Sequence, residues 1–196
     1  MNNRDRLIQL VRDNGGFIST NQINSRSKRY LIEQLIQEGI LSRIRRGWLI
    51  LQDDPALDET HLLAALFPKG VFCQASAWDF HQLSTSIPIQ HHLVFPRDLK
   101  LALPEYPPVQ AHFAIEKVYQ LGISEITDNG HILKVYDMER SVCDAVKFRN
   151  KIGQDVFNEV LKNYTRRPER NLDTLMKYAA ILRIEAQLRN FLGPLL

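Results

Sequence analysis

The sequence has few of the features that mark secreted, membrane-spanning or metal-stabilised proteins. Only two of its 196 residues are cysteines, Cys73 and Cys143, which excludes a disulfide framework, and no CxxC or Cys/His spacing suggests zinc. No run approaches the roughly 18 apolar residues of a membrane span. The first residues, MNNRDRLIQL, contain no long apolar stretch, so we expect no signal peptide. These absences favour a cytoplasmic protein with reduced thiols.

Charge is distributed unevenly along the chain. Residues 1–51 hold nine arginines and lysines against four acids, a net charge of +5, whereas the remainder holds 16 basic and 18 acidic residues, a net charge of −2. A basic segment joined to a slightly acidic one indicates a polyanionic partner for the first segment alone.

Helix signals dominate the start of that basic segment. Apolar spacing predicts a helix over residues 3–13, with Asn2 or Asn3 as its cap. After a glycine pair and a short extended piece, residues 19–22 fit a capping box that opens a short second helix. Ser25 is predicted to cap a third helix that ends at Glu38.

A hairpin follows the third helix. Residues 40–44 and 48–51 predict two strands, joined by a turn at residues 45–47. The order helix, short strand, helix, helix, hairpin is that of a winged helix-turn-helix. We therefore expect a winged-helix DNA-binding domain at residues 1–52 and a C-terminal domain at residues 56–196, separated by a polar linker that contains Pro55.

The third helix has two unlike faces. Leu31, Ile32, Leu35 and Ile36 fall on one side of a helical wheel, and the other side carries Arg26, Arg29, Tyr30, Glu33 and Gln37. A recognition helix has this arrangement, because its N-terminal end enters the major groove, where arginine can read guanine and other side chains reach phosphates or bases. We expect Arg26 and Arg29 to read bases and Lys28, near the apolar side, to reach a phosphate.

The hairpin supplies a second basic cluster, made of Arg43, Arg45 and Arg46. A basic wing tip lies over the DNA backbone or in the minor groove, so we expect Arg45 and Arg46 mainly to hold backbone, whereas Trp48 packs on the core. Charged helix faces are often merely solvated, and winged helices also serve as protein-interaction modules. The element order and the position of both basic clusters favour DNA.

The C-terminal part predicts a mixture of helices and strands. Helical patterns cover residues 58–66, 73–83, 138–150, 154–164 and 171–192, and β-like stretches cover 91–95, 109–115 and 131–136. Prolines between residues 88 and 108 argue against long helices there. The expected fold class is therefore α+β, a winged helix followed by a mixed α/β domain that ends in helices.

Metal-binding and catalytic signals are weak. His91 and His92 are adjacent on a predicted strand and point to opposite faces, so they cannot easily share a metal. His91, Asp98 and Lys100 could serve a hydrolase or nuclease, but no nucleophile elbow or phosphate-cradling loop accompanies them. We expect no enzyme activity, no cofactor and no metal.

Several stretches resemble the AbiEi-type antitoxins of abortive-infection, type IV toxin–antitoxin systems. They are residues 16–19, 27–35 and 38–48, the last reading EGILSRIRRGW; the stretch ASAW at 75–78 with HQL at 81–83; residues 137–144 with ERS and Asp144; and residues 172–188. Trp48 replaces the family's usual tyrosine, and Asn24 replaces its frequent glycine. The pieces occur in the family's order over nearly the whole chain.

The resemblance implies a transcriptional repressor that is also an antitoxin. Its winged helix would bind inverted repeats in its own promoter, whose symmetry suits a dimer. Its C-terminal domain would counteract a nucleotidyltransferase toxin, either by direct contact or indirectly. A domain of this size has room for such a task, and its candidate partner surface comprises Arg166, Arg167, Arg170, Lys177, Arg183 and Arg189. The alternatives are a ligand-sensing winged-helix regulator without a toxin partner and a nucleic-acid enzyme.

Overall fold

The computed structural model describes residues 2–23 and 26–195, except for the side chains of residues 26–28 and 195. The chain forms two compact units. Unit 1 comprises Met1–Phe67 and Leu103–Pro107, and unit 2 comprises Pro68–Ala102 and Pro108–Leu196. Helices and strands occur in both units, which confirms the α+β class.

Unit 1 follows the predicted order of elements. These are α1 (Asn3–Asp13), β1 (Phe17–Ser19), a 3-10 turn (Thr20–Gln22), α2 (Arg26–Gln37), β2 (Leu41–Arg45), β3 (Trp48–Leu51) and α3 (Glu59–Leu66). The predicted second helix is only the single 3-10 turn. Its capping box is present, since the Ser19 and Gln22 side chains each accept a backbone hydrogen bond across it.

Asn2 caps α1 as predicted. Its side-chain oxygen accepts a hydrogen bond from the Asp5 amide at 2.8 Å, and the Asp5 carboxylate accepts from the Asn2 amide at 3.4 Å. This reciprocal arrangement satisfies amides that a helix N-terminus leaves without partners. The predicted cap of α2, Ser25, and the neighbouring Asn24 lie outside the described residues.

The sheet of unit 1 is antiparallel, in the order β1-β3-β2. Gly47 turns the hairpin at a φ of +83°, in the left-handed region that favours glycine. Gly16 also has a positive φ, and a Cβ on it would lie 2.6 Å from the Leu57 Cα atom. A side chain at residue 16 would therefore push away the segment that leads into α3.

The core of unit 1 confirms the two faces predicted for α2. Ile32 and Leu35 are buried, Leu31 and Ile36 are half-buried, and Arg29, Tyr30, Glu33 and Gln37 are exposed. The apolar face packs with residues of α1 and all three strands around one cluster. The Trp48 ring lies 6.1 Å from the buried Phe17 ring, as expected of a residue that packs on the core.

Unit 1 extends beyond the predicted domain boundary. It includes α3, and it also takes in Leu103–Pro107, whose neighbours in the chain on both sides belong to unit 2. The Tyr106 hydroxyl donates a hydrogen bond to the Glu59 carboxylate of α3. The predicted linker at residues 52–55 therefore lies inside unit 1 rather than at its edge.

Unit 2 contains a five-stranded mixed sheet in the order β6-β5-β4-β8-β7. Its elements are β4 (Val71–Phe72), α4 (Gln74–Phe80), β5 (His91–Pro96), β6 (Val109–Ala114), α5 (Glu116–Tyr119), β7 (Ile123–Asp128), β8 (His131–Tyr136), α6 (Met138–Lys147), α7 (Gln154–Thr165), α8 (Leu172–Leu182), α9 (Glu185–Leu192) and a 3-10 turn (Gly193–Leu195). Strands β4, β7 and the short helix α5 were not predicted.

Helix α6, one of the stretches that carries the family resemblance, is buried for most of its length. Arg140, which is 4% exposed, pairs with Asp144 at 3.2 Å and donates to the carbonyl oxygens of Val118 and Leu121 at 2.7 and 3.1 Å. Its guanidinium carbon lies 4.2 Å from the centre of the Tyr136 ring. These contacts satisfy the buried charge, so this motif holds the fold of unit 2 together.

The C-terminal helix predicted over residues 171–192 is wrong as a single element. Arg183 adopts a left-handed conformation with φ +59° and ends α8, and α9 begins two residues later. The amides of Arg183 and Ile184 donate back to carbonyls of α8, which is the usual closure of a helix C-terminus. In the described part of the chain, no helix combines the length and apolar character that crossing a bilayer requires.

Candidate nucleic-acid interface

The exposed face of α2 carries the polar residues predicted for recognition. Arg29 is exposed, and Tyr30 is 70% exposed although tyrosine is largely apolar. The Gln34 amide lies 3.5 Å from the Tyr30 hydroxyl. The side chains of Arg26 and Lys28, also predicted for this interface, lie outside the described residues.

The three hairpin arginines have unlike surroundings. Arg43 pairs with Glu33, which connects β2 to the exposed face of α2. Arg45 donates to the Leu66 carbonyl oxygen at 3.3 Å, and its guanidinium carbon lies 5.7 Å from the centre of the Phe67 ring. Arg46, at the turn, is exposed and its side chain has no partner among the described residues. The sequence predicted one basic cluster in the hairpin, and the structure gives each of its three members different surroundings.

A cavity of about 260 Å³ brings two of the predicted residues together. The cavity is lined by Thr20, Asn21, Ile23, Arg29, Ile32, Glu33 and Arg43. Arg29 comes from α2 and Arg43 from β2, so cations from two elements face the same space. No sequence pattern indicated this cavity, because its lining residues come from three separate segments.

Other cations of unit 1 are neutralised within it. Arg4 pairs with Glu38 at 2.7 Å, and Arg12 pairs with Asp54 at 2.6 Å. The Arg12 hydrogen bond is the main cause of a lowered pKa for the Asp54 carboxyl. Because these pairs occupy cations, the count of nine arginines and lysines in residues 1–51 overstates the number that are free to meet a polyanion.

A larger cavity, of about 750 Å³, lies elsewhere in unit 1. Its lining consists of Ser42, Arg43, Ile44, Ile50, Leu51, Gln52, Asp53, Asp54, Leu57, Leu103, Pro104, Glu105 and Tyr106. Its volume falls within the roughly 300–1,000 Å³ of small-molecule pockets. The lining combines apolar side chains with three acids and one cation, Arg43, so its net charge favours an uncharged or cationic compound over an anion.

The cations of the predicted partner surface in unit 2 fall into two groups: some bind other groups of the unit, and others have no partner among the described residues. Arg167 is half-buried and donates to the His81 and Gln82 carbonyl oxygens at 2.9 and 3.3 Å, and Arg170 donates to the Arg167 carbonyl oxygen at 2.9 Å. Arg189 lies 3.3 Å from Glu185. The remaining side chains are exposed and have no partner among the described residues: Arg166, Lys177 and Arg183.

Two histidines form a contact that the sequence did not indicate. His92 Nδ1 lies 3.1 Å from His112 Nε2 on the neighbouring strand, whereas the His91 ring lies against Phe72, so the adjacent histidines do face different ways. Burial lowers the pKa of His92 and lowers the pKa of His112 to about 4. Within the described residues, no group of three or more potential ligands could hold a metal ion.

The residues considered for catalysis come from strand β5 and the segment after it. His91 begins β5, and Asp98 and Lys100 are exposed in the segment that follows this strand. Absence of enzyme activity stays a prediction.

Comparison with solved structures gives a likeness of fold. The fold is similar to the crystal structure of the RV2827C protein from Mycobacterium tuberculosis, with a TM-score of 0.59 and 12% sequence identity over 96% of this chain and 80% of that chain. At this identity the similarity extends to the fold alone. No protein-family model matches the chain, and no curated protein matches its sequence.

Proposed function

We propose that unit 1 is a winged helix-turn-helix that binds double-stranded DNA through the exposed face of α2 and the β2–β3 turn. The observation that carries this proposal is the position of Arg29 and Arg43 on one cavity, with Arg46, which has no partner among the described residues, at the turn next to β2. Arginines placed on two elements can follow a phosphate backbone and leave the helix free to read base edges.

A salt titration tests this proposal on the full-length protein. Fluorescence anisotropy with the promoter of its own operon should show affinity that falls steeply with salt, since about 3–6 phosphates are neutralised per protomer and each contributes roughly −0.9 to the logarithmic slope. The double variant Arg29→Gln/Arg46→Gln should flatten the slope. The control Lys117→Gln/Lys162→Gln removes the same charge from exposed positions of unit 2 and should not. A flat response of the unmodified protein would disprove DNA binding.

We further propose that the chain is an autoregulating repressor and the antitoxin of a type IV, AbiE-like system. This proposal rests on the ordered resemblance to AbiEi-type antitoxins along nearly the whole chain. The expected partner is a nucleotidyltransferase toxin encoded by a neighbouring gene. Co-expression with that gene should restore growth that the gene alone abolishes, and a promoter reporter should be repressed by the full-length protein. If no neighbouring gene is toxic, the antitoxin role fails and the repressor role stands.

The large cavity of unit 1 favours a second candidate, a regulator that responds to a small ligand. Its lining includes strand β2, which also carries Arg43, so a bound compound could alter the DNA-facing side of the hairpin. A fraction of cell extract that contains the ligand should then dissociate the protein from the promoter. The same fraction should raise the melting temperature of the protein, because a bound ligand stabilises the folded state. A screen in which no fraction does either would count against this candidate.

The chain is also proposed to have no catalytic chemistry. Incubation with plasmid, single-stranded DNA and RNA, with and without magnesium or manganese, should yield no cleavage. Cleavage that requires a divalent ion and is lost in His91→Ala would establish a nuclease instead.

A further inference from the structure

The ion pair between Glu33 and Arg43 places an acid on the surface that is proposed to bind DNA. Glu33 stands on the exposed face of α2, between the positions proposed to meet DNA, and an acid there opposes an approaching phosphate. The two side chains are 56% and 57% exposed. An exposed ion pair of this kind changes the equilibrium constant for unfolding by at most about fivefold. The pair can therefore open at small cost when a stronger partner for Arg43 arrives.

The 260 Å³ cavity shows what that partner could be. Glu33 is the single acid among its lining residues, and it faces Arg43 while Arg29 has no partner among the described residues. Thr20 and Asn21 add a hydroxyl and an amide at the same cavity. Two guanidinium groups with neutral hydrogen-bonding side chains suit a phosphate, which like a carboxylate accepts paired hydrogen bonds from arginine.

We propose that the Glu33 carboxylate takes the place of a DNA phosphate in the free protein. When DNA binds, a backbone phosphate enters between Arg29 and Arg43, and Glu33 gives up Arg43. Because the displaced carboxylate stays close to the phosphate, it lowers affinity for every duplex and limits binding to sites where base contacts compensate. This inference rests on the proposed DNA-binding function and names a residue that weakens it.

The variant Glu33→Gln tests the inference, with Glu38→Gln as its matched control. Both remove one negative charge and one exposed arginine–glutamate pair of unit 1, since Glu38 pairs with Arg4, but Glu38 does not line the cavity. Glu33→Gln should raise affinity for operator and random duplexes alike by about 3–10-fold near 0.1 M salt, and Glu38→Gln by less than about twofold. Circular dichroism should be the same for both variants.

A double-mutant cycle shows whether Glu33 acts through Arg43. In an Arg43→Gln background, the gain from Glu33→Gln should be smaller than in the unmodified protein, because the part that comes from releasing Arg43 is absent and only the repulsion between Glu33 and the phosphate remains. If Glu33→Gln and Glu38→Gln raise DNA affinity equally, the gain comes from the overall charge of the protein and not from the cavity. That result would overturn the inference.

A loss of operator affinity in Glu33→Gln, with random DNA unaffected, would overturn it differently, since Glu33 would then read a cytosine. Each of these results leaves the proposed DNA-binding function standing. Failure of the unmodified protein to bind any duplex would instead remove that function and the inference together.

Discussion

At the scale of single residues, the surroundings of each arginine decide what it can offer to DNA. Arg29 and Arg46 have no partners among the described residues, whereas Arg43 is held by Glu33 and Arg45 by the end of α3. A cation that must first leave an internal partner gains less from a phosphate than one that is free. The four arginines should therefore differ in effect although their charges are equal.

Alanine substitutions should reveal these differences. Arg29→Ala should weaken both duplexes through the loss of its phosphate contact, and it should cost about 1–3 kcal/mol more on the operator if this side chain also reads a base. Arg46→Ala should weaken both duplexes alike, because a backbone contact carries no sequence information. Arg45→Ala should weaken binding less than Arg46→Ala. Equal losses for all three variants on both duplexes, measured by anisotropy at one salt concentration, would contradict this division.

At the scale of elements, the sequence predicted what depends on local patterns. The Asn2 capping box, the two faces of α2 and the hairpin all follow from residues within a few positions of each other. Strand β4 has only two residues and therefore no period to detect. The 260 Å³ cavity combines Thr20, Arg29 and Arg43, which are distant in sequence. Only the folded chain brings them together.

The break between α8 and α9 also escaped prediction, and it gives a test of the C-terminal helices. Helices usually end on glycine in the left-handed conformation, but here Arg183 holds it at φ +59°. A residue that carries a Cβ atom is strained there, and we expect this strain to exceed the conformational entropy that glycine adds to the unfolded chain. Arg183→Gly should thus stabilise the protein by up to about 1 kcal/mol.

Thermal unfolding followed by circular dichroism can measure this gain. The melting temperature of Arg183→Gly should rise by about 2–4 °C for each kcal/mol. Arg183→Ala is the control, because it removes the same side chain and keeps the Cβ atom, so it should bring no gain. If glycine and alanine shift the melting temperature equally, the side chain rather than the backbone decides stability at this position.

At the scale of the whole molecule, the two units interleave along the chain. Leu103–Pro107 belongs to unit 1 although the residues before and after it belong to unit 2. A truncated protein of residues 56–196 would therefore keep α3 and this segment but lose the rest of the unit that contains them. Substitutions in the full-length chain separate the two proposed activities more cleanly than truncation does.

The last prediction is that repression and antitoxicity separate by position. Arg29→Ala/Arg46→Ala in unit 1 should abolish repression of a promoter reporter and keep the rescue of growth, since neither residue lies in unit 2. Arg166→Glu/Lys177→Glu should reduce rescue and keep repression, because both side chains are exposed and unpartnered among the described residues. Growth with the cognate toxin is the readout, and circular dichroism of each variant checks its fold. If every variant that loses repression also loses rescue in proportion, antitoxicity acts through the promoter, and unit 2 needs no contact with the toxin.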